Sequence, residues 1–158
     1  MTRVLVVEDN DEYRGHLCEY LKRKDYQVVE ACSEREARDA LQREAQTIGV
    51  AVIDLKLESE NSGIDLLRTV SDMYSHIVSI VLTGLGEANL RASMEAGAFS
   101  FLEKQRRDPE EILEVVQRAC LRHVQKRQSG TDLMRELSKI RALLGDATAV
   151  IERVVAES

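Results

Sequence analysis

Two apolar runs in this chain end in acid. Val4-Leu5-Val6-Val7 leads into Glu8 and Asp9, and Val50-Ala51-Val52-Ile53 leads into Asp54. Short β-branched runs of this kind read as strands buried on both faces, the sort that build a parallel sheet. In an open α/β sheet, functional groups collect beyond the carboxyl ends of the strands, where the strand order reverses. If these two strands are neighbours, three carboxylates converge on one crevice, where they repel and raise one another's pKa. A hard divalent cation with oxygen ligands relieves that conflict, and Mg²⁺ is the usual choice where phosphate chemistry follows. The chemistry to expect is that of an acidic metal pocket.

The rest of the chain has to position those acids. Strand-like and helix-like segments alternate from residue 3 to about 125. Strands are expected at 3–8, 26–31, 50–54, 77–82 and 98–102. Asn10 or Asp11 caps a first helix with Tyr13, Leu17, Tyr20 and Leu21 on its apolar face. Ser33 with Glu36 three residues on forms a capping box for a second helix through Ala37, Ala40 and Leu41. The polar loop Glu58-Ser59-Glu60-Asn61-Ser62-Gly63 precedes a third helix carrying Ile64, Leu67 and Val70. A short fourth helix around 87–96 stops at Gly97. Asp108-Pro109-Glu110-Glu111 opens a fifth, with proline in its first turn and acids at its positive end. Five βα units of this length imply an α/β, doubly wound parallel sheet with right-handed crossovers.

Composition sets the outer bounds. The chain has 158 residues, 44% hydrophobic and 32% charged, enough for one well-buried domain with material left over. A net charge of −6 argues against non-specific nucleic-acid binding. No apolar stretch approaches membrane-spanning length, and Arg3 with a few valines is too brief for a signal-peptide core, so no membrane association and a cytoplasmic location are expected. Cys18, Cys32 and Cys120 are odd in number and lack metal-ligand spacing, which fits reduced, mostly buried thiols.

Glu8-Asp9, Asp54, Thr83 and Lys104 each stand at the end of a different strand. Any of them alone is ordinary: a loop acid, a turn threonine, a surface lysine. Together, in this order, they make residues 1–127 resemble the CheY-like receiver domain of two-component response regulators. The resemblance implies a five-stranded, flavodoxin-like sheet of order 2-1-3-4-5. It implies Asp54 as phosphoacceptor, with Glu8, Asp9, Asp54 and the backbone carbonyl of Lys56 around Mg²⁺. Lys104 would grip a phosphoryl oxygen and Thr83 would donate to another. Thr83 and Phe101 would form the switch, Phe101 turning inward once Thr83 moves toward the new acceptor. The donor would be a phosphohistidine on a sensor histidine kinase or a phosphotransfer protein.

The chain departs from the family at two loops. Gln105 follows Lys104 where the family usually has a cis proline, so this loop is expected to be trans and looser. The loop after Asp54 lacks the usual proline at Glu58 and is a residue longer before Gly63. Lys56 and Leu85 occupy the variable positions that influence phosphoryl lifetime in the family. None of these changes removes a required group.

Residues 128–158 form a separate C-terminal helical extension, with a joint expected at Ser129-Gly130-Thr131. Leu133, Leu137, Ile140, Leu144, Ala147, Ile151 and Val154 alternate four and three apart, a heptad seam. Traced backwards, the register meets Ile112, Val116, Ala119 and His123 and breaks at Lys126 and Gly130. Leu143 and Val150 widen the stripe toward a bundle or a docked neighbour. The expected partner is another copy of the chain, with the face of the fourth helix, fifth strand and fifth helix as a second contact; the alternative is a helix folded back on its own domain. The tail shows no basic recognition face for DNA. His123 sits in a basic stretch and reads as part of a solvated helix face; His16 and His76 have no evident ligand partners.

Three functions compete on these residues. The first is a signalling phosphoacceptor, not an enzyme acting on other molecules. The second is a degenerate, non-phosphorylated receiver serving as a scaffold, or the N-terminal part of a larger signalling protein. The third is an aspartyl phosphatase, which usually needs a second acid two residues after the nucleophile, where Lys56 stands.

Overall fold

The computed structural model describes residues 2–59, 62–84 and 89–156, with the side chains of Arg106 and of residues 146–156 outside the description. Five parallel strands, β1 (Arg3–Val7), β2 (Gln27–Ala31), β3 (Ile48–Ile53), β4 (Val78–Thr83) and β5 (Ser100–Glu103), form one sheet of order β2-β1-β3-β4-β5. The helices are α1 (Asp11–Arg23), α2 (Glu34–Glu44), α3 (Ser62–Met73), α4 (Leu90–Glu95) and α5 (Pro109–Ala156). The order follows from burial. The continuous apolar runs of β3 and β4 are buried at every position, whereas β2 and β5 at the edges are partly exposed.

Alternate residues divide the core between the two faces of the sheet. Leu5, Val7, Ala51, Ile53 and Val81 pack with Leu41, Leu66, Leu67 and Val70 from α2 and α3. Val4, Val6, Val50, Val52, Ile80 and Leu82 pack on the other face with Leu17 and Leu21 of α1 and Val116 and Ala119 of α5. Burial in this second layer pushes the Cys18 thiol up to about 12, and all three cysteines are free. Among the described residues no helix is long and apolar enough to cross a membrane.

Helix starts follow the capping signals. Asn10 accepts the Tyr13 N–H at 2.8 Å and Ser33 accepts the Glu36 N–H at 3.1 Å. The Glu36 carboxylate reaches back to the Cys32 N–H, one residue before the cap. Gly97, at φ +101°, ends the fourth helical segment in the left-handed region that favours glycine. The strand ends differ from the expected ones by one or two residues. Glu8, for instance, falls just past β1, although its N–H still donates to Ala31 O at 3.1 Å.

Two expectations need correction. Ser129-Gly130-Thr131 is no joint: the helix runs through it, and Thr131 Oγ1 donates back to Arg127 O at 2.9 Å. One interior glycine costs a helix about 1 kcal/mol, less than its helix-forming neighbours supply. His123 is not solvated but 4% exposed. Its Nδ1 donates to His76 O at 2.7 Å and its ring lies over Gly49, while His76 Nε2 donates to Ala45 O at 2.9 Å. His123 shares the register of Val116 and Ala119, which places it on the sheet side of the helix.

The chain divides into two compact units, Met1–His123 and Val124–Ser158. In the second unit Leu133, Leu137, Ile140 and Leu144 are exposed. The seam residues Ala147, Ile151 and Val154, like flanking Val150, have side chains outside the described set, and Leu85 and the loop residues Glu60 and Asn61 are not described at all.

Gly63 carries a local constraint. A Cβ there would stand 2.3 Å from Asp54 O and 2.4 Å from Leu55 Cα, both rigid backbone. Gly63→Ala should therefore cost about 2–4 kcal/mol, whereas Gly15→Ala, with nothing within 4 Å in mid-helix, should gain about 0.5–1 kcal/mol. Urea unfolding of the two variants measures the contrast.

Candidate metal and phosphoacceptor site

Glu8, Asp9 and Asp54 meet at the carboxyl end of neighbouring strands β1 and β3. The in-register pairing of Val7 with Ile53 brings the two strand ends level, and the Asp54 N–H donates to Val7 O at 3.0 Å. Glu8 and Asp54 are buried, 3% and 5% exposed, and Asp9 stands exposed at the rim. One oxygen from each of the three lies within 4.8 Å of the others. A cleft of about 390 Å³ opens here, lined by Glu8, Asp9, Asn10, Asp54, Lys56, Gly84 and Lys104.

The two buried carboxylates are held alike. Each gives one oxygen to the backbone N–H two residues on, Glu8 Oε1 to Asn10 and Asp54 Oδ1 to Lys56, both at 3.1 Å. Each gives the other oxygen to Lys104, whose Nζ lies 2.8 Å from Asp54 Oδ2 and also bonds Glu8 Oε2. The Lys104 ammonium further rests over the Tyr13 ring, 4.7 Å from its centroid. Arg14 donates to the Glu8 carbonyl at 2.8 Å.

Burial raises the Glu8 pKa, against the pull of the Lys104 and Asn10 hydrogen bonds. Burial pulls Lys104 down, but its hydrogen bonds and charge contacts with Asp54 and Glu8 outweigh that and leave it above its ordinary value. The lysine is thus held protonated. Three carboxylates thus meet at the Lys104 ammonium, an acidic cluster suited to a divalent cation. The donor set fits: hard oxygens only, one from each carboxylate and all within 4.8 Å of one another.

The other expected residues are placed less uniformly. Thr83, the last residue of β4, is fully buried, and it is the following Gly84 that lines the cleft. Phe101 pairs with Val81 in the ladder and is partly buried against the core layer on the α2–α3 side. Lys104 to Arg106 form a turn of 3₁₀ helix, with no cis peptide among the described residues. The sequence treated Asn10 only as a cap and Tyr13 only as core, yet both touch the site. Their closeness in sequence to Glu8, two and five residues on, is the signal by which they could have been found.

The family model for the response regulator receiver domain matches residues 4–117. The chain belongs to this family. The transcriptional regulatory protein FixJ of Rhizobium meliloti is 42% identical over 72 residues, 45% of this chain and 34% of that protein. The regulatory protein VirG of Rhizobium rhizogenes is 32% identical over 106 residues, 66% of this chain and 42% of that protein. The chain thus spans less than half the length of these relatives. A CheY-like receiver domain protein from Methanospirillum hungatei shares the fold at TM-score 0.73 and 23% identity, over 80% of this chain and 98% of that one. A response regulator from Burkholderia pseudomallei, solved with a phosphorylated aspartic acid, calcium ion and citrate, matches at TM-score 0.65 and 29% identity, over 72% of this chain and 65% of that one.

In this receiver domain Lys104 is the counter-ion between two buried carboxylates at the adjacent ends of β1 and β3. Lys104→Met should lower stability at neutral pH by about 2–4 kcal/mol, and added Mg²⁺ should return part of the loss. Denaturant unfolding with and without the metal reads both effects; a variant as stable as the natural chain would contradict the role.

Proposed function

We propose that Asp54 accepts a phosphoryl group in a Mg²⁺-dependent reaction and that the resulting charge switches a protein-binding face. The observation that carries this reading is Lys104 bound to both Asp54 and Glu8 within a cluster of three carboxylates at the neighbouring ends of β1 and β3. Glu8, Asp9 and Asp54, with the Lys56 carbonyl, would hold the metal. When bound, Mg²⁺ supplies charge neutralisation between the carboxylates and an incoming phosphoryl group.

The chain's own residues account for the rest. A carboxylate oxygen of Asp54 attacks phosphorus, the P–N bond to the donor imidazole breaks, and the imidazole leaves with the electron pair and takes up a proton. The Lys56 N–H orients the Asp54 carboxylate. Lys104 passes from carboxylate to phosphoryl oxygen, so its charge stays paired throughout. The aspartyl phosphate brings about −1.5 to −2 charge and three acceptor oxygens. Thr83, one residue before the cleft wall at Gly84, donates to one of them and releases the space into which Phe101 turns. The donor is a phosphohistidine on a histidine kinase or phosphotransfer protein, the setting is the cytoplasm, and the exposed C-terminal seam pairs with a second copy of the chain.

Incubation with acetyl phosphate and Mg²⁺ should add one phosphoryl group by mass spectrometry. Asp54→Ala should abolish the addition, and Glu8→Gln or Asp9→Asn should weaken Mg²⁺ binding by about tenfold or more. A natural chain that takes up no phosphoryl group would favour the scaffold alternative. Thr83→Ala should still be modified but should lose the change in the surroundings of Phe101, read by NMR.

A further inference from the structure

The C-terminal seam has its own directional information. In heptad register Leu137 and Leu144 fall at a and Leu133 and Ile140 at d, and these four are 50%, 63%, 60% and 52% exposed. Upstream, the same register holds Ile112, Val116, Ala119 and His123, at most 4% exposed in the receiver core. A stripe of large apolar side chains left in water gains about 1.5–3 kcal/mol per residue on burial, so it requires a cover. We propose that the cover is a second copy of the chain running parallel and in register from Leu133 onward. This rests on the homodimer reading above and fixes its orientation.

Flanking charge selects the direction. Glu136 occupies g and Arg141 occupies e. In a parallel, in-register pair each g residue faces the e residue five positions on in the partner helix. Glu136 therefore meets Arg141 of the second copy, and symmetry makes the contact twice. An antiparallel pair sets g beside g and e beside e, so that neither attraction forms. In the single chain Glu136 pairs with Lys139, at 2.7 Å between side chains 62% and 61% exposed, an ion pair readily exchanged.

Charge also sets where the pairing begins. Extended upstream, it would put Arg122 at g against Arg127 at e, and Lys126 at d against its own copy. Like charges so placed repel, and Gly130 offers no side chain at the intervening a position. Leu133 is the first seam residue free of these penalties. Met134 at e and Leu143 at g broaden the stripe on either side of the Glu136 and Arg141 positions.

Sedimentation equilibrium of the full chain tests the proposal with Glu136→Arg, Arg141→Glu and the double exchange. Both substituted positions lie on exposed helix, and circular dichroism checks that helicity is kept. Each single variant should weaken self-association by about five- to tenfold, and the exchange should return it to within about twofold of the natural chain. A natural chain that stays monomeric would overturn the homodimer reading itself. A dimer indifferent to the single variants, or weakened by both and not restored by the exchange, would keep the dimer and overturn the parallel arrangement.

Discussion

Lys104 reaches from the end of β5 to two carboxylates that end β1 and β3, and the carboxyl edge of the sheet depends on that reach. Glu8 and Asp54 are both nearly inaccessible to solvent. Burial raises the Glu8 pKa, and the Lys104 hydrogen bond and charge pull it back down. The ammonium pairs with both carboxylates and rests over the Tyr13 ring.

The same geometry explains why the fold is spent on this point. Parallel strands in the order β2-β1-β3-β4-β5 put β1 and β3 side by side at the place where the chain direction across the sheet reverses. Gly63 lets the start of α3 close over the backbone of Asp54 and Leu55, and its N–H donates to Leu55 O at 3.2 Å. The loop that carries Asp54 is thereby braced from behind. The bracing costs a residue that can tolerate no side chain.

Much of this was legible in the sequence because it rests on short-range signals. Unbroken apolar runs gave the central strands, and Asn10 and Ser33 gave the helix starts, since a cap is a bond between residues two or three apart. The acids and Lys104 were legible as a set because each follows a strand. What the sequence hid depends on packing between distant segments. Gly63 is an ordinary loop glycine until the backbone of Asp54 lies against it. Tyr13 reads as a core aromatic until Lys104 arrives from ninety residues away. His123 looked solvated because its neighbours are basic, yet its register with Ala119 turns it toward Gly49 and His76. Gly130 looked like a joint because glycine marks one in isolation, while a long helix absorbs its modest cost.

A crystal structure grown with Mg²⁺ and beryllofluoride tests the shared pocket most directly. The account predicts the metal on oxygens of Asp9 and Asp54, the fluoride group on Asp54, and Lys104 Nζ moved from Glu8 to a fluorine. Metal bound away from these carboxylates, or Lys104 still seated on Glu8 with the mimic in place, would contradict it.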